Sequence, residues 1–144
     1  MAFHEKRAWM ALVVSIVVAM GYLILIAGRL GDAGHDASAV DYVPAMLISI
    51  GVGIVATIVG QIVLSALNPR DTPKLDVRDR EIERLGSRVG QAFLVIGGLA
   101  GLGLAMLRVD PFWIAHALYL GFLLSSLLDC VTRVVVYRRG VPAW

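Results

Sequence analysis

Four long apolar stretches dominate this sequence and constrain its fold more than any other feature. They cover residues 8–28, 43–67, 89–107 and 112–137. A helix of about 20 mostly apolar residues is long enough to cross the hydrocarbon core of a bilayer. The stretches are apolar on every side, which is typical of helices that face lipid. The sequence therefore predicts a single all-α domain over residues 1–144, a four-helix bundle embedded in the lipid bilayer.

Composition favours a membrane protein over a soluble one. Hydrophobic residues make up 58% of the 144 and charged residues only 17%, whereas soluble domains average about 45–50% and about 25%. The first stretch follows Lys6 and Arg7, as the core of a secretory signal does. Its apolar run is longer than the roughly 7–15 residues of a signal core. We therefore interpret it as a retained span.

Lysine and arginine are distributed unevenly among the segments that connect the spans. Eleven of the thirteen fall at the two chain ends or between the second and third spans, whereas Arg29 and Arg108 fall on the other side. Connecting segments rich in Lys and Arg stay in the cytoplasm. We therefore expect both termini and residues 68–88 to be cytoplasmic.

The stretch DVRDREIERLGSR, residues 76–88 and called the charged segment below, has eight charged residues among its thirteen. The preceding NPRDTP is typical of a turn. Asp76 is suited to cap a helix, and early acids with late Arg84 and Arg88 suit the helix dipole. We expect the third helix to begin here and to extend two or three turns into the cytoplasm. Residue pairs spaced as helical ion pairs are Asp76–Arg80, Arg78–Glu81, Arg80–Glu83 and Glu81–Arg84.

An apolar stripe of Leu75, Ile82, Leu85 and Val89 runs along this part of the chain and needs a surface to cover it. One interpretation is packing on the protein's own helix ends, with charges that only keep the juncture solvated. The other is a docking helix for a cytoplasmic partner. Direct binding of nucleic acid is not expected, because acids interrupt the basic surface. The candidate docking residues are Asp76, Arg78, Asp79, Arg80, Ile82, Glu83, Arg84, Leu85 and Arg88.

The charged segment and the closing stretch DPFWIAHALYLGFLLSSLLDCVTRVVVYRRG resemble a group of small four-span bacterial inner-membrane proteins. The resemblance covers the second half of the chain well and the first half only by hydropathy. Genes of that kind often lie beside a gene for a short helix-turn-helix regulator. The resemblance implies a location in the bacterial inner (cytoplasmic) membrane and a DNA-binding regulator held there, and it brings no catalytic residues. The hallmark run D-x-R-D-x-x-I-E-x-x-G-x-R-x-G is matched by Asp76, Arg78, Asp79, Ile82, Glu83, Gly86, Arg88 and Gly90.

Polar side chains within the spans are costly in lipid and suggest function. Gln61, Gln91, Asp129 and Arg133 fall toward the cytoplasmic ends of the second, third and fourth spans, so we expect one intramembrane polar cluster. Asp129 and Arg133 are four residues apart, the spacing of a helical ion pair. We interpret the cluster mainly as a clamp between helices, and a proton or ion path is the alternative.

Small residues recur at helical spacing on the third and fourth spans. Gly97 and Gly101 share one face, Gly90 lies one heptad earlier, and Gly121 lies on the fourth span. Small residues let helices approach closely in lipid. We expect them to serve packing within the bundle first and homodimer formation second.

The sequence offers little for catalysis, metal binding or redox chemistry. His116 in the fourth span and His35 in the first loop are too few for a metal or haem site. The lone Cys130 has no partner for an internal disulfide. We therefore expect no enzyme activity, no cofactor and no metal.

These observations favour a non-enzymatic regulatory membrane protein that binds and sequesters a small cytoplasmic DNA-binding transcriptional regulator at the inner membrane. Two alternatives stay open. One is a small transporter or channel-like protein that uses the intramembrane polar cluster. The other is an immunity or accessory subunit that binds another membrane protein.

Overall fold

Four helices make up the architecture, which is given by a computed structural model. The described residues are 3–34, 36, 39–67 and 77–140, without the side chains of Phe3 and His4. Each helix is long and apolar enough to cross a membrane. The prediction of an all-α, four-helix membrane bundle is confirmed. In chain order the helices are α1 (Phe3–Asp32), α2 (Val43–Leu67), α3 (Val77–Met106) and α4 (Pro111–Arg139).

Successive helices run in opposite directions, so the bundle has two chemically different ends. The charged end is where α1 and α3 begin and α2 and α4 end, and the opposite end holds the α1–α2 and α3–α4 connections. Helix α3 packs most extensively on α4, α4 also packs on α1, and α1 packs on α2. The helices therefore follow the order α2, α1, α4, α3, with α2 and α3 at the two edges.

Close approach of α3 and α4 depends on glycines at their interface. A Cβ added to Gly121 would lie 2.7 Å from the Cα of Gly97. At Gly90 it would lie 2.9 Å from a backbone oxygen of α4, and at Gly101 2.7 Å from a leucine side chain of α4. Each distance is shorter than an ordinary carbon contact. The four glycines singled out in the sequence thus lie between α3 and α4.

A tight turn joins these two helices at the opposite end. Arg108 has a φ of 53°, in the left-handed region that a non-glycine residue adopts only locally. The Asp110 carboxylate accepts a hydrogen bond of 2.8 Å from the backbone N–H of Phe112. Pro111 follows at the first helical turn, where its fixed φ suits a helix start. This capped turn directs α4 back along α3.

Aromatic side chains fill the opposite end between α1, α2 and α4. The Nδ1 of His116 lies 2.7 Å from the carbonyl oxygen of Phe112, and its Nε2 lies 2.9 Å from the Tyr22 hydroxyl. A carbonyl only accepts, so Nδ1 carries a proton, and in the neutral imidazole Nε2 accepts from Tyr22. Both ring nitrogens are therefore occupied by this chain's own groups. Buried residues of this cluster are Tyr22, Ile26, Val40, Ala45 and Phe112.

Candidate functional site

The described part of the charged segment is held to the bundle along one face of α3. Helix α3 begins at Val77, twelve residues before the expected span at Val89, which is a little over three turns. Ile82 on its inner face is fully buried, with 0% of its surface exposed. Asp79, also on this face, accepts a hydrogen bond of 3.0 Å from the Tyr137 hydroxyl on α4. This stretch is thus part of the α3–α4 hairpin rather than a free extension.

The buried position of Ile82 corrects one part of the docking hypothesis. Ile82 has the spacing of an apolar stripe open to a partner, but the protein's own helices cover it. Gly86 and Gly90 on the same face let α4 approach closely enough to do so. Leu85 is half-buried, and Asp76 lies outside the described residues. Any docking through this part of α3 must therefore use other side chains.

Arg133 on α4 contacts three polar side chains at the charged end. Its Nε donates to Asp129 Oδ1 at 2.9 Å, and its Nη2 donates to Oδ2 at 2.8 Å. Such two-bonded guanidinium–carboxylate pairs are among the stronger polar contacts. Nη1 also lies 3.5 Å from Glu83 Oε1, and Nη2 lies 3.4 Å from Ser87 Oγ. Arg133 therefore links α4 to two successive turns of α3.

A polar cavity of about 290 Å³ lies beside this ion pair and is lined by residues of all four helices. Gln61 of α2 lines it and accepts a hydrogen bond of 2.6 Å from Arg7 Nη2 of α1. Asp129 and Arg133 line it from α4. The cavity thus brings three of the four expected cluster residues together. Its other polar side chains are Thr57, Asp79, Glu83, Ser126, Cys130 and Tyr137.

Gln91, the fourth residue expected in the intramembrane polar cluster, lies outside the polar cavity. The prediction of a single network, which was based on its depth in the membrane, is therefore corrected. The Gln91 side chain is exposed and lines a shallow groove on the outer side of α3. The reason is helical geometry, because Gln91 follows Gly90 directly. Consecutive residues are rotated by about 100° around a helix of 3.6 residues per turn. With Gly90 against α4, Gln91 must point away from the cavity.

The outer face of α3 presents three arginines in one row. Arg80, Arg84 and Arg88 are four residues apart and exposed, so they lie above one another on one side of the helix. We call them the arginine row. Together with Glu83, Ser87 and Gln91 they line a groove of about 320 Å³. The row therefore faces away from α4.

The ion pairs expected along α3 are not formed among its described residues. Glu83 turns to Arg133 of α4 instead of Arg80. Arg78 and Glu81 are both exposed. No carboxylate forms an ion pair with the arginine row among the residues that the structure describes, although Glu83 lines the same groove. The three arginines therefore have no ion-pair partner in the described part of the chain.

Three residues of the site escaped the sequence analysis. Arg7 counted there only as a charge that sets orientation, and neither Ser87 nor Tyr137 was assigned to the site. The spacing of Asp79, Ile82, Glu83 and Gly86 on one helical face would have predicted that Asp79 and Glu83 point inward. No sequence signal identifies their partners on α4, Tyr137 and Arg133.

His116 and the acids do not combine into a metal site. Among the described residues, no three side chains of His, Cys, Asp or Glu converge closely enough to hold a metal ion.

Compared with known protein families, curated proteins and solved structures, the chain has no match.

Proposed function

We propose that this chain is a non-enzymatic, multi-pass membrane protein whose charged end lies in the cytoplasm and binds a small DNA-binding transcriptional regulator. The main support for this proposal is the arginine row on the outer face of α3. The three arginines are exposed and lack carboxylate partners among the described residues. This surface replaces the apolar stripe that the sequence suggested, because Ile82 is buried.

The row is presented on a helix that is already ordered before any partner arrives. Asp79 and Glu83 bind α4 from the inner face, and Ile82 packs between them. Binding surfaces that are ordered in advance lose less conformational entropy when a partner docks. The same contacts that remove Ile82 from the surface thus support a rigid arrangement of the arginines.

Charge determines which surface of a regulator this row can bind. Three guanidinium groups without a carboxylate partner among the described residues attract an acidic surface and repel a basic one. A DNA-binding regulator carries its basic surface where it contacts phosphate. We therefore propose that the partner docks through an acidic face away from its DNA-binding surface. Release from DNA would then result from sequestration at the membrane rather than from competition for the same face.

A co-purification experiment with matched charge variants tests this proposal. Arg84→Glu reverses one charge in the row, and Arg78→Glu makes the same change on the same helix outside the groove. The membrane protein and two variants are purified in mild detergent, and the soluble proteins retained are identified by mass spectrometry. We expect a DNA-binding protein with the parent and with Arg78→Glu, and its loss with Arg84→Glu. The same retained proteins in all three samples, or no DNA-binding protein in any, would contradict the proposal.

Transport through the intramembrane cluster has less support. Gln91 lies outside the polar cavity, and the Asp129 carboxylate is already bound on both oxygens by Arg133. An ion that bound this carboxylate would have to compete with the Arg133 guanidinium, which forms a strong charge-assisted pair with it. The accessory-subunit alternative has no contact among the described residues that favours it over regulator binding.

A further inference from the structure

A deep apolar crevice runs between α1, α2 and α4 at the level of the middle of the membrane. Its volume is about 560 Å³, within the range of pockets that hold small organic ligands. Val18, Gly53 and Leu123 are among its lining residues. Ile54 and Phe122 also line it and are more than half exposed, at 56% and 62%. Because both belong to membrane-spanning helices, the crevice opens toward the lipid.

The hydroxyl groups in this crevice are bonded within the protein. Ser49 and Tyr119 share a hydrogen bond of 2.6 Å, and Ser15 and Ser126 share one of 3.2 Å. Thr57 donates to a backbone carbonyl of its own helix at 2.8 Å. In each pair one hydroxyl donates to the other, which lowers the hydrogen-bonding capacity that the crevice wall presents to an occupant. The crevice wall is therefore suited to an apolar occupant, such as an acyl chain.

The apolar crevice adjoins the polar cavity at the charged end. Thr57 and Ser126 line both spaces. An apolar volume in the middle of the membrane thus lies next to a polar one nearer the end of the bundle. A lipid molecule within one leaflet has the same arrangement, with its acyl chains in the hydrocarbon core and its headgroup at the membrane surface.

The charges in the polar cavity are of both signs. Asp129 is neutralised by Arg133, whereas Arg7 binds only the Gln61 amide among the described residues. Asp79 accepts from a tyrosine, and Glu83 reaches Arg133 only at 3.5 Å. The cavity therefore offers one uncompensated guanidinium and two carboxylates with capacity to accept further hydrogen bonds.

We propose that the crevice and the adjoining cavity together bind one membrane phospholipid with an ethanolamine headgroup. One acyl chain fills the apolar crevice, the other stays in the bilayer, and the phosphate binds the guanidinium of Arg7. The primary ammonium donates to Asp79 and Glu83. A choline group has no N–H donor, and a glycerol headgroup leaves the net charge of the lipid negative beside the two acids. The site prefers ethanolamine for these two reasons.

This lipid site differs from the regulator surface, because none of the three arginines lines the crevice or the polar cavity and Glu83 is the one residue that lines both the cavity and the groove of the arginine row. The two proposals can therefore fail independently. Variants in the crevice leave the arginine row unchanged, and variants in the row leave the crevice unchanged.

Photochemical labelling in nanodiscs tests the acyl-chain part. The probe is phosphatidylethanolamine with a diazirine on one acyl chain, and labelled peptides are mapped by mass spectrometry. Gly53→Leu adds a side chain to the crevice, where even a Cβ would lie 3.6 Å from Val18 Cγ1. Gly51→Leu is the matched control, because an added Cβ there meets nothing within 4 Å. We expect labels on the crevice residues of α2 and α4, lost in Gly53→Leu and kept in Gly51→Leu.

Headgroup competition tests whether the polar cavity binds the headgroup, and it is measured first with the parent protein. Unlabelled phosphatidylethanolamine should displace the probe at lower concentration than phosphatidylcholine or phosphatidylglycerol. Arg7→Gln should weaken probe binding by about 10- to 150-fold, since a hydrogen bond to a charged group contributes about 1.5–3 kcal/mol. Arg139→Gln, an exposed charge change at the same end, should leave it unchanged.

Three results would overturn the proposal. One is labelling spread evenly over all lipid-facing helices, and another is equal displacement by the three headgroups. The third is cross-linking between two copies of the chain through the crevice, which would make a second copy the occupant.

Discussion

The guanidinium of Arg133 and the carboxylate of Asp129 form two hydrogen bonds, at 2.9 Å and 2.8 Å, across one turn of α4. Both side chains point toward α3, where Gly86 and Gly90 leave the space that they occupy. The pair thus neutralises two charges near the membrane boundary and fills the α3–α4 interface. Its loss should affect the stability of the bundle more than the chemistry of the cavity.

Asp129→Asn should destabilise the protein by about 1–2 kcal/mol, since it removes a charged hydrogen-bond partner from a partly exposed site. Thermal unfolding in detergent measures this change. Glu81→Gln, an exposed acid on α3, is the matched control and should leave the melting temperature unchanged. Liposomes containing the parent or Asp129→Asn should show no intrinsic ion flux. A pH-driven flux in the parent that disappears in Asp129→Asn would instead favour transport.

Gly97→Ala should separate α3 from α4. The backbone of Gly121 occupies the place of the new methyl group, and backbone cannot rotate away as a side chain can. Overpacking of this kind costs about 1–3 kcal/mol. Gly98→Ala, the neighbouring residue, meets nothing within 4 Å and should be neutral or slightly stabilising, because alanine favours a helix. In one detergent, Gly97→Ala should therefore lower the melting temperature, and Gly98→Ala should leave it unchanged or raise it slightly. Equal shifts would contradict this account of the interface.

The sequence predicts the four helices well, because length and hydropathy identify each span without any knowledge of its neighbours in the bundle. Contacts between helices are harder to predict, as Gln61 and Gln91 show. Both are glutamines near the same end of a span, yet Gln61 binds Arg7 and Gln91 lies on the outer face. Depth along the membrane follows from position in a span, whereas the direction of a side chain depends on which face meets a neighbour. The glycines of α3 indicate which face of the helix packs against α4. The position of Gln91 relative to Gly90 on that helix would have excluded Gln91 from the cavity.

Ile82→Ala should destabilise the charged end although the residue lies in a strongly polar stretch. A fully buried isoleucine loses its packing contacts when it is truncated, and the cost is typically about 2–5 kcal/mol. Val77→Ala, with 70% of the valine exposed, should change stability by less than about 0.5 kcal/mol. Hydrogen exchange of the α3 amides before Val89 provides the local measurement. We expect faster exchange in Ile82→Ala and unchanged exchange in Val77→Ala. If Ile82→Ala keeps parent-like exchange and loses a soluble partner, Ile82 belongs to a docking surface after all.

The distribution of basic residues makes the orientation of the bundle directly testable. Eleven of thirteen lysines and arginines belong to the two chain ends or to the connection between the second and third spans, so this end should be cytoplasmic. A reporter that is active only in the cytoplasm should work when fused after Trp144 and fail when inserted at Gly34. Gly34 is an exposed turn residue with a φ of 63°, and exposed turns tolerate insertion. A second reporter, active only outside the cytoplasm, provides the control and should give the opposite pattern at both positions. The reverse result with both reporters would place the arginine row on the outer side of the membrane, where no cytoplasmic regulator could reach it.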